Sequence, residues 1–103
     1  MDLKVIDAAT TNASGSFYLN GRDRFAVRVV TTGTVTVDYA VKGHVSSQET
    51  GDPVMLPSAS GNGISDAIEE FDGVSLYRVT VEIGNFTGTG TVSVFASSNQ
   101  RGA

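Results

Sequence analysis

The sequence predicts an all-β fold: an antiparallel β-sandwich of about seven short strands, Ig-like or jelly-roll-like, with room for one short helical turn. Three observations predict it. Apolar and polar side chains alternate at period two in several runs, as they do on strands with one buried and one wet face. Turn residues punctuate those runs about every 8–12 residues. Charged residues make up only 17% of the chain, and Thr, Ser and Gly, the residues of strands and tight turns, take their place. An open barrel is the runner-up.

The 103 residues suit one domain. Residues 1–14 read as an N-terminal arm or edge strand, 15–98 as the sandwich, and 99–103 as a flexible C-terminal tail. Leu3-Lys4-Val5-Ile6 is a short strand or an extended arm. Ser16-Phe17-Tyr18-Leu19 is a strand that ends at the turn dipeptide Asn20-Gly21. Phe25, Val27 and Val29 alternate with Arg28, and Val35, Val37, Tyr39 and Val41 alternate with polar neighbours. Thr32-Gly33 lies between these two runs, so they read as an antiparallel hairpin.

Val54-Met55-Leu56, bounded by Pro53 and Pro57, suits an edge strand, where proline is tolerated. Residues 58–63 read as a loop. Ile64, Ile68 and Phe71 fit helical spacing, so one or two helical turns or an irregular crossover are expected there. Tyr77, Val79, Val81 and Ile83 form an inward set, and Val92 and Val94 follow across a Gly-rich connection as a second hairpin. Gly33-Thr34-Val35-Thr36-Val37 matches Gly90-Thr91-Val92-Ser93-Val94. Similar burial explains the match, as do pseudo-symmetric hairpins in equivalent places.

Net charge is −4, which disfavours nucleic-acid binding through phosphate contacts. Arg22, Arg24 and Arg28 are interrupted by Asp23 and read as a solvated face. No run approaches the length of a membrane span, and the opening residues lack a signal-peptide pattern, so cytosolic synthesis without a membrane role is expected. The chain has no cysteine, hence no disulfide and no thiolate chemistry.

No catalytic constellation stands out, so an enzyme is not expected, and neither is a cofactor or a metal. Glu69, Glu70 and Asp72 form an acidic run, but no calcium-loop pattern frames them. His44 is the single histidine and reads as a loop residue near Ser46 and Ser47. Gly88-Thr89-Gly90 precedes a strand and is a turn, not a phosphate cradle. Asn12-Ala13-Ser14 and Asn85-Phe86-Thr87 read as chance sequon matches. Tyr18, Tyr39 and Tyr77 offer aromatic surface for a sugar, with Tyr39 and Tyr77 expected in the core. Phe95 is out of phase with the inward set and Phe86 lies at a turn, so both are candidates for a contact surface.

The runs Phe25–Val29, Gly33–Ala40, Tyr77–Val81 and Thr87–Val94, with the Ser-rich tail, resemble small β-sandwich virion proteins of tailed bacteriophages, of the capsid decoration or cement type. The resemblance spans about residues 15–98. It implies a non-enzymatic virion protein, made in the host cytoplasm and oligomeric, that binds the major capsid protein or another virion protein. Multivalent attachment to a lattice turns modest contacts into tight binding. The partner-binding candidates are Leu3, Val5 and Ile6 of the arm, which could add a strand to a neighbour, with Phe86 and Phe95. The alternatives are a head–tail or tail component, a carbohydrate- or receptor-binding module, and, last, a hydrolase built on His44.

Overall fold

The computed structural model describes residues 2–19, 24–44, 54–64, 67–72 and 77–97. Among them are eight strands: β1 (Asp2–Ala9), β2 (Ala13–Tyr18), β3 (Arg24–Thr31), β4 (Thr36–His44), β5 (Val54–Ile64), β6 (Ala67–Asp72), β7 (Arg78–Thr87) and β8 (Val92–Ser97). They form two four-stranded antiparallel sheets, ordered β1-β8-β3-β6 and β2-β7-β4-β5.

That order is the connectivity of a jelly roll. The first strand pairs with the last, the second with the seventh, the third with the sixth and the fourth with the fifth. The chain is thus one long folded ribbon. Two further pairings, β3 with β8 and β4 with β7, roll that ribbon into two layers. The Ig-like alternative is set aside.

Both predicted hairpins are corrected by this topology. β3 and β8 lie in one sheet, β4 and β7 in the other. The short connections Thr32–Val35 and Gly88–Thr91 therefore cross between layers instead of joining paired strands. The two like segments noticed in the sequence meet only where each begins, at Gly33 and Gly90, and then diverge: Thr34 and Thr36 lie opposite Thr89 and Thr87, whereas Val92 and Val94 lie opposite Thr31 and Val29. Thr32 N–H donates to Thr91 O at 2.9 Å and Thr34 N–H to Thr89 O at 3.0 Å. Hydroxyls extend the match: Thr32 with Thr91 at 2.9 Å and Thr36 with Thr87 at 2.7 Å. The backbone N–H groups of Thr89 and Thr91 donate to the side chains of Thr34 and Thr32 at 2.9 and 2.8 Å. One ladder thus bends continuously from sheet to sheet. The bend needs glycine: Gly33, Gly88 and Gly90 all have positive φ and sit against the opposing backbone.

The core fills the space between layers. One sheet contributes Ile6, Phe25, Val27, Val29, Val92, Val94 and Ala96, and the other Phe17, Val37, Tyr39, Val41, Val79, Val81 and Ile83. All are buried, as the period-two reading predicts, and Phe17 meets Phe25 edge to face at 5.6 Å.

The middle of the chain departs most from expectation. Ala67–Asp72 is strand β6, not a helical turn. β3 would otherwise have hydrogen-bond partners on one side only, and β6 takes up its free row. Residues 58–63 belong to β5, not to a loop. The predicted edge position of this strand holds. Its register breaks between Ala40 and Lys42 of its partner, where Ser60 and Met55 follow one another, so Pro57 falls within the irregular stretch.

Candidate functional site

Residues 2–9 are an edge strand whose register shifts twice, between Lys4 and Ile6 and between Ile6 and Ala9. Val5 is the extra residue of the first shift. The slip lets Lys4 point outward opposite Phe95 while Ile6 turns inward opposite Val94. Ala8, at φ 49°, marks the second shift, and its N–H donates to Ser93 Oγ at 3.0 Å.

These slips separate the partner-binding candidates. Ile6 is 5% exposed and belongs to the core, so it is not available to a partner. Val5 and Phe86 are partly buried against the core, and Phe86 N–H donates to Asn12 Oδ1 at 2.9 Å. Leu3 remains exposed and Phe95 is half-buried on the outer face of its sheet.

The register gathers Leu3 and Phe95 with residues that the sequence does not connect. Lys4 pairs with Phe95, Phe95 with Arg28, and Arg28 with Ile68, so a row of alternating cation and apolar side chain crosses all four strands. Lys4 Nζ stands 5.5 Å from the Phe95 ring centre, a cation–π distance. Lys4 also meets Asp7 at 3.3 Å, both exposed. Ile68 is 69% exposed, unusually open for so apolar a side chain. Ala26 and Ser97, both small, leave an open groove of about 490 Å³ between these larger residues.

The outer face of the second sheet is polar. His44 is buried at the end of β4, not in a surface loop as expected. Its Nδ1 faces the Arg78 guanidinium at 3.2 Å, and its Nε2 meets Thr80 Oγ1 at 3.0 Å. Thr80 Oγ1 in turn meets Ser16 Oγ at 2.8 Å. A guanidinium only donates, so Nδ1 accepts and the ring hydrogen sits on Nε2. The relay therefore runs from Arg78 through His44 and Thr80 to Ser16. A guanidinium, not a carboxylate, stands at Nδ1, and Thr80 intervenes between His44 and Ser16. Both features are the reverse of a nucleophile–base pair. Ser46 and Ser47 lie outside the described residues, as does the tail 99–103. Among the described residues no three His, Asp or Glu side chains gather around a cation position.

Tyr39 is in the core as expected, but Tyr77 is not. It precedes β7 at a bend, is exposed, and packs edge to face on exposed Tyr18 at 5.3 Å.

Fold and surface together define a jelly-roll sandwich with a cationic, apolar groove on one outer face. No family model matches the chain, and no curated protein matches it. Eight chains of solved structures do match. One of them is the SPBc2 prophage-derived protein YomS, at TM-score 0.71 and 19% identity over 94% of this chain and 92% of that one. At that identity the likeness is one of fold.

Proposed function

We propose that this chain is a non-enzymatic structural protein of a bacteriophage particle, which decorates or cements the capsid by binding the lattice of the major capsid protein at many equivalent points. The observation that carries this reading is the match in fold to a prophage-derived protein over nearly the full length of both chains. The topology supports it, since jelly rolls recur in viral capsid proteins. A non-catalytic role accords with the His44 relay, whose Nδ1 faces a cation. Oligomeric assembly in the host cytoplasm and attachment to the virion complete the proposal; a place at the head–tail junction or on the tail is its nearest variant.

The test is direct. Purified protein is mixed with heads and, separately, with tails of a phage carrying its gene, then followed by co-sedimentation and negative-stain imaging. Regular added density on heads, with greater resistance to heat or osmotic shock, is the expected result. Density on tails alone moves the protein to the tail. Absence from both particles ends the structural reading. The exposed Tyr18–Tyr77 pair favours one second reading, a carbohydrate-binding module, because aromatic rings and nearby hydrogen-bond donors suit sugars. Strong glycan-array binding that Tyr18→Ala abolishes, without particle binding, would establish it instead.

A further inference from the structure

We infer that the groove on the outer face of the β1-β8-β3-β6 sheet is the docking site for an acidic, apolar segment of a partner protein: carboxylates flanked by large apolar side chains. The inference deepens the virion reading and rests on it for the partner's identity, but its chemistry stands on the groove alone. The central observation is Arg28. It is exposed in the middle of the face, between Phe95 on β8 and Ile68 on β6, and makes no ion pair or hydrogen bond among the described residues. Its nearest outward neighbours in register are an aromatic ring and an aliphatic chain. Lys4 lies on the far side of Phe95, two strand spacings from Arg28, or roughly 9.6 Å. Each cation thus has an apolar surface beside it, and Ala26 and Ser97 leave room for an incoming side chain.

This pattern selects among occupants. The chain carries a net charge of −4, yet the groove is lined by Lys4, which shares its charge with exposed Asp7, and by Arg28, so Arg28 above all makes the groove complementary to an acidic segment and sets it apart from the molecule's average surface. A second copy packed on this face about a two-fold axis at Arg28, the middle of the groove, sets that cation against its own copy, which disfavours self-association there. A nucleic acid meets a net negative molecule with two basic side chains in the groove, too few for a phosphate track. An extended segment that carries Glu or Asp and Leu or Phe on one face, at every second position, places carboxylates on Arg28 and Lys4 and buries its apolar side chains against Phe95, Leu3 and Ile68. Exposed ion pairs contribute little singly, so one groove binds weakly, and a repeating lattice supplies the avidity.

The experiment is a heteronuclear NMR titration of the nitrogen-15-labelled full chain with the capped heptapeptide Leu-Ser-Glu-Ser-Phe-Ser-Glu, whose Leu, Phe and two Glu share one face when extended, and with its twin in which both Glu are Gln. Up to millimolar peptide, the acidic form shifts the amide signals of Lys4, Ala26, Arg28, Phe95 and Ser97. The twin binds roughly threefold more weakly, and Arg28→Glu weakens the acidic form by about tenfold. Arg28 is exposed, so this variant keeps its dispersed spectrum. No shifts, shifts centred elsewhere, or equal binding of the twin overturn the inference. The same variant, mixed with phage heads, separates the two claims. Heads that bind wild type and Arg28→Glu equally refute the groove and leave the virion reading intact. Peptide binding in the groove without head binding does the opposite.

Discussion

Gly33→Ala should be among the most damaging single-methyl additions to this protein. Gly33 has φ 64°, where an L-residue with a Cβ is strained by about 1–2 kcal/mol. The added Cβ would also stand 2.1 Å from Thr89 O, well inside contact distance and against backbone. That same oxygen accepts the Thr34 N–H at 3.0 Å, so relieving the clash means parting the two corner segments at their hydrogen bond. A lost bond of this kind contributes about 0.5–1.5 kcal/mol. The sum is a destabilisation of roughly 1.5–3.5 kcal/mol, or a fall in Tm of about 15 °C for a domain this size.

Gly84→Ala is the control. Gly84 lies in β7, does not have positive φ, and has open space where a Cβ would go. Its replacement should leave stability within about 0.5 kcal/mol, or raise it slightly by restricting the unfolded chain. Urea unfolding and calorimetry on the wild type and both variants give the comparison. If Gly33→Ala lies within about 0.5 kcal/mol of wild type, or if the two variants lose equal stability, the corner does not hold the layers together as described.

Three further outcomes follow from the packing and the polar relay. Thr80→Val keeps the shape of the side chain but removes the oxygen that His44 Nε2 meets, and should lose about 1–2 kcal/mol in urea unfolding, whereas Ser16→Ala at the exposed end of the relay should lose less than half of that. Val81→Ala empties a fully buried site between the sheets and should lower stability by about 2–3 kcal/mol, readable as a shift in the urea midpoint at unchanged slope. Glu82→Gln breaks a solvent-facing pair with Lys42 at 2.7 Å; its effect should stay below about 1 kcal/mol and fade in high salt, and a larger, salt-independent loss would contradict the surface assignment.

The alternation of β3, β4, β7 and β8 was legible because burial on one face writes itself into every second residue. Sheet membership was not. Val29 and Val35 face the core whether their strands pair side by side or face each other across it, so Thr32-Gly33 looks like a hairpin turn in either topology. The legible clue was the repeat itself: Gly33–Val37 and Gly90–Val94 are alike, and both start from the same corner and run out of it into different sheets. β6 was missed because its spacing of Ile64, Ile68 and Phe71 suits a helix, and only the open side of β3 decides for a strand. Of the candidate surface, Phe95 was visible as an apolar residue out of phase. Its neighbours were not, because Lys4, Arg28 and Ile68 come from three other strands and meet only through register. The His44 relay was hidden for the same reason: Arg78 and Thr80 are 34 and 36 residues away in sequence.

Register also decides between two ways of meeting a partner. An N-terminal arm adding a strand to a neighbour needs an unbroken row of backbone groups at its edge. β1 does not offer one, because its register slips twice within eight residues and Ala8 leaves the β conformation altogether. Slips of this kind twist an edge away from pairing and protect it against unwanted sheet extension. β2, the neighbouring edge of the other sheet, lies close under β1: a Cβ at Gly15 would stand 2.6 Å from Val5 O. The same irregularity that spoils the β1 edge places Lys4 outward beside Phe95 and so builds part of the groove. Association through a face follows from that geometry more readily than association through an edge. Pairing at the β1 edge should therefore be insensitive to side chains on the outer face, whereas docking at the groove should respond to Arg28 and Phe95 before it responds to any residue of the β1 backbone.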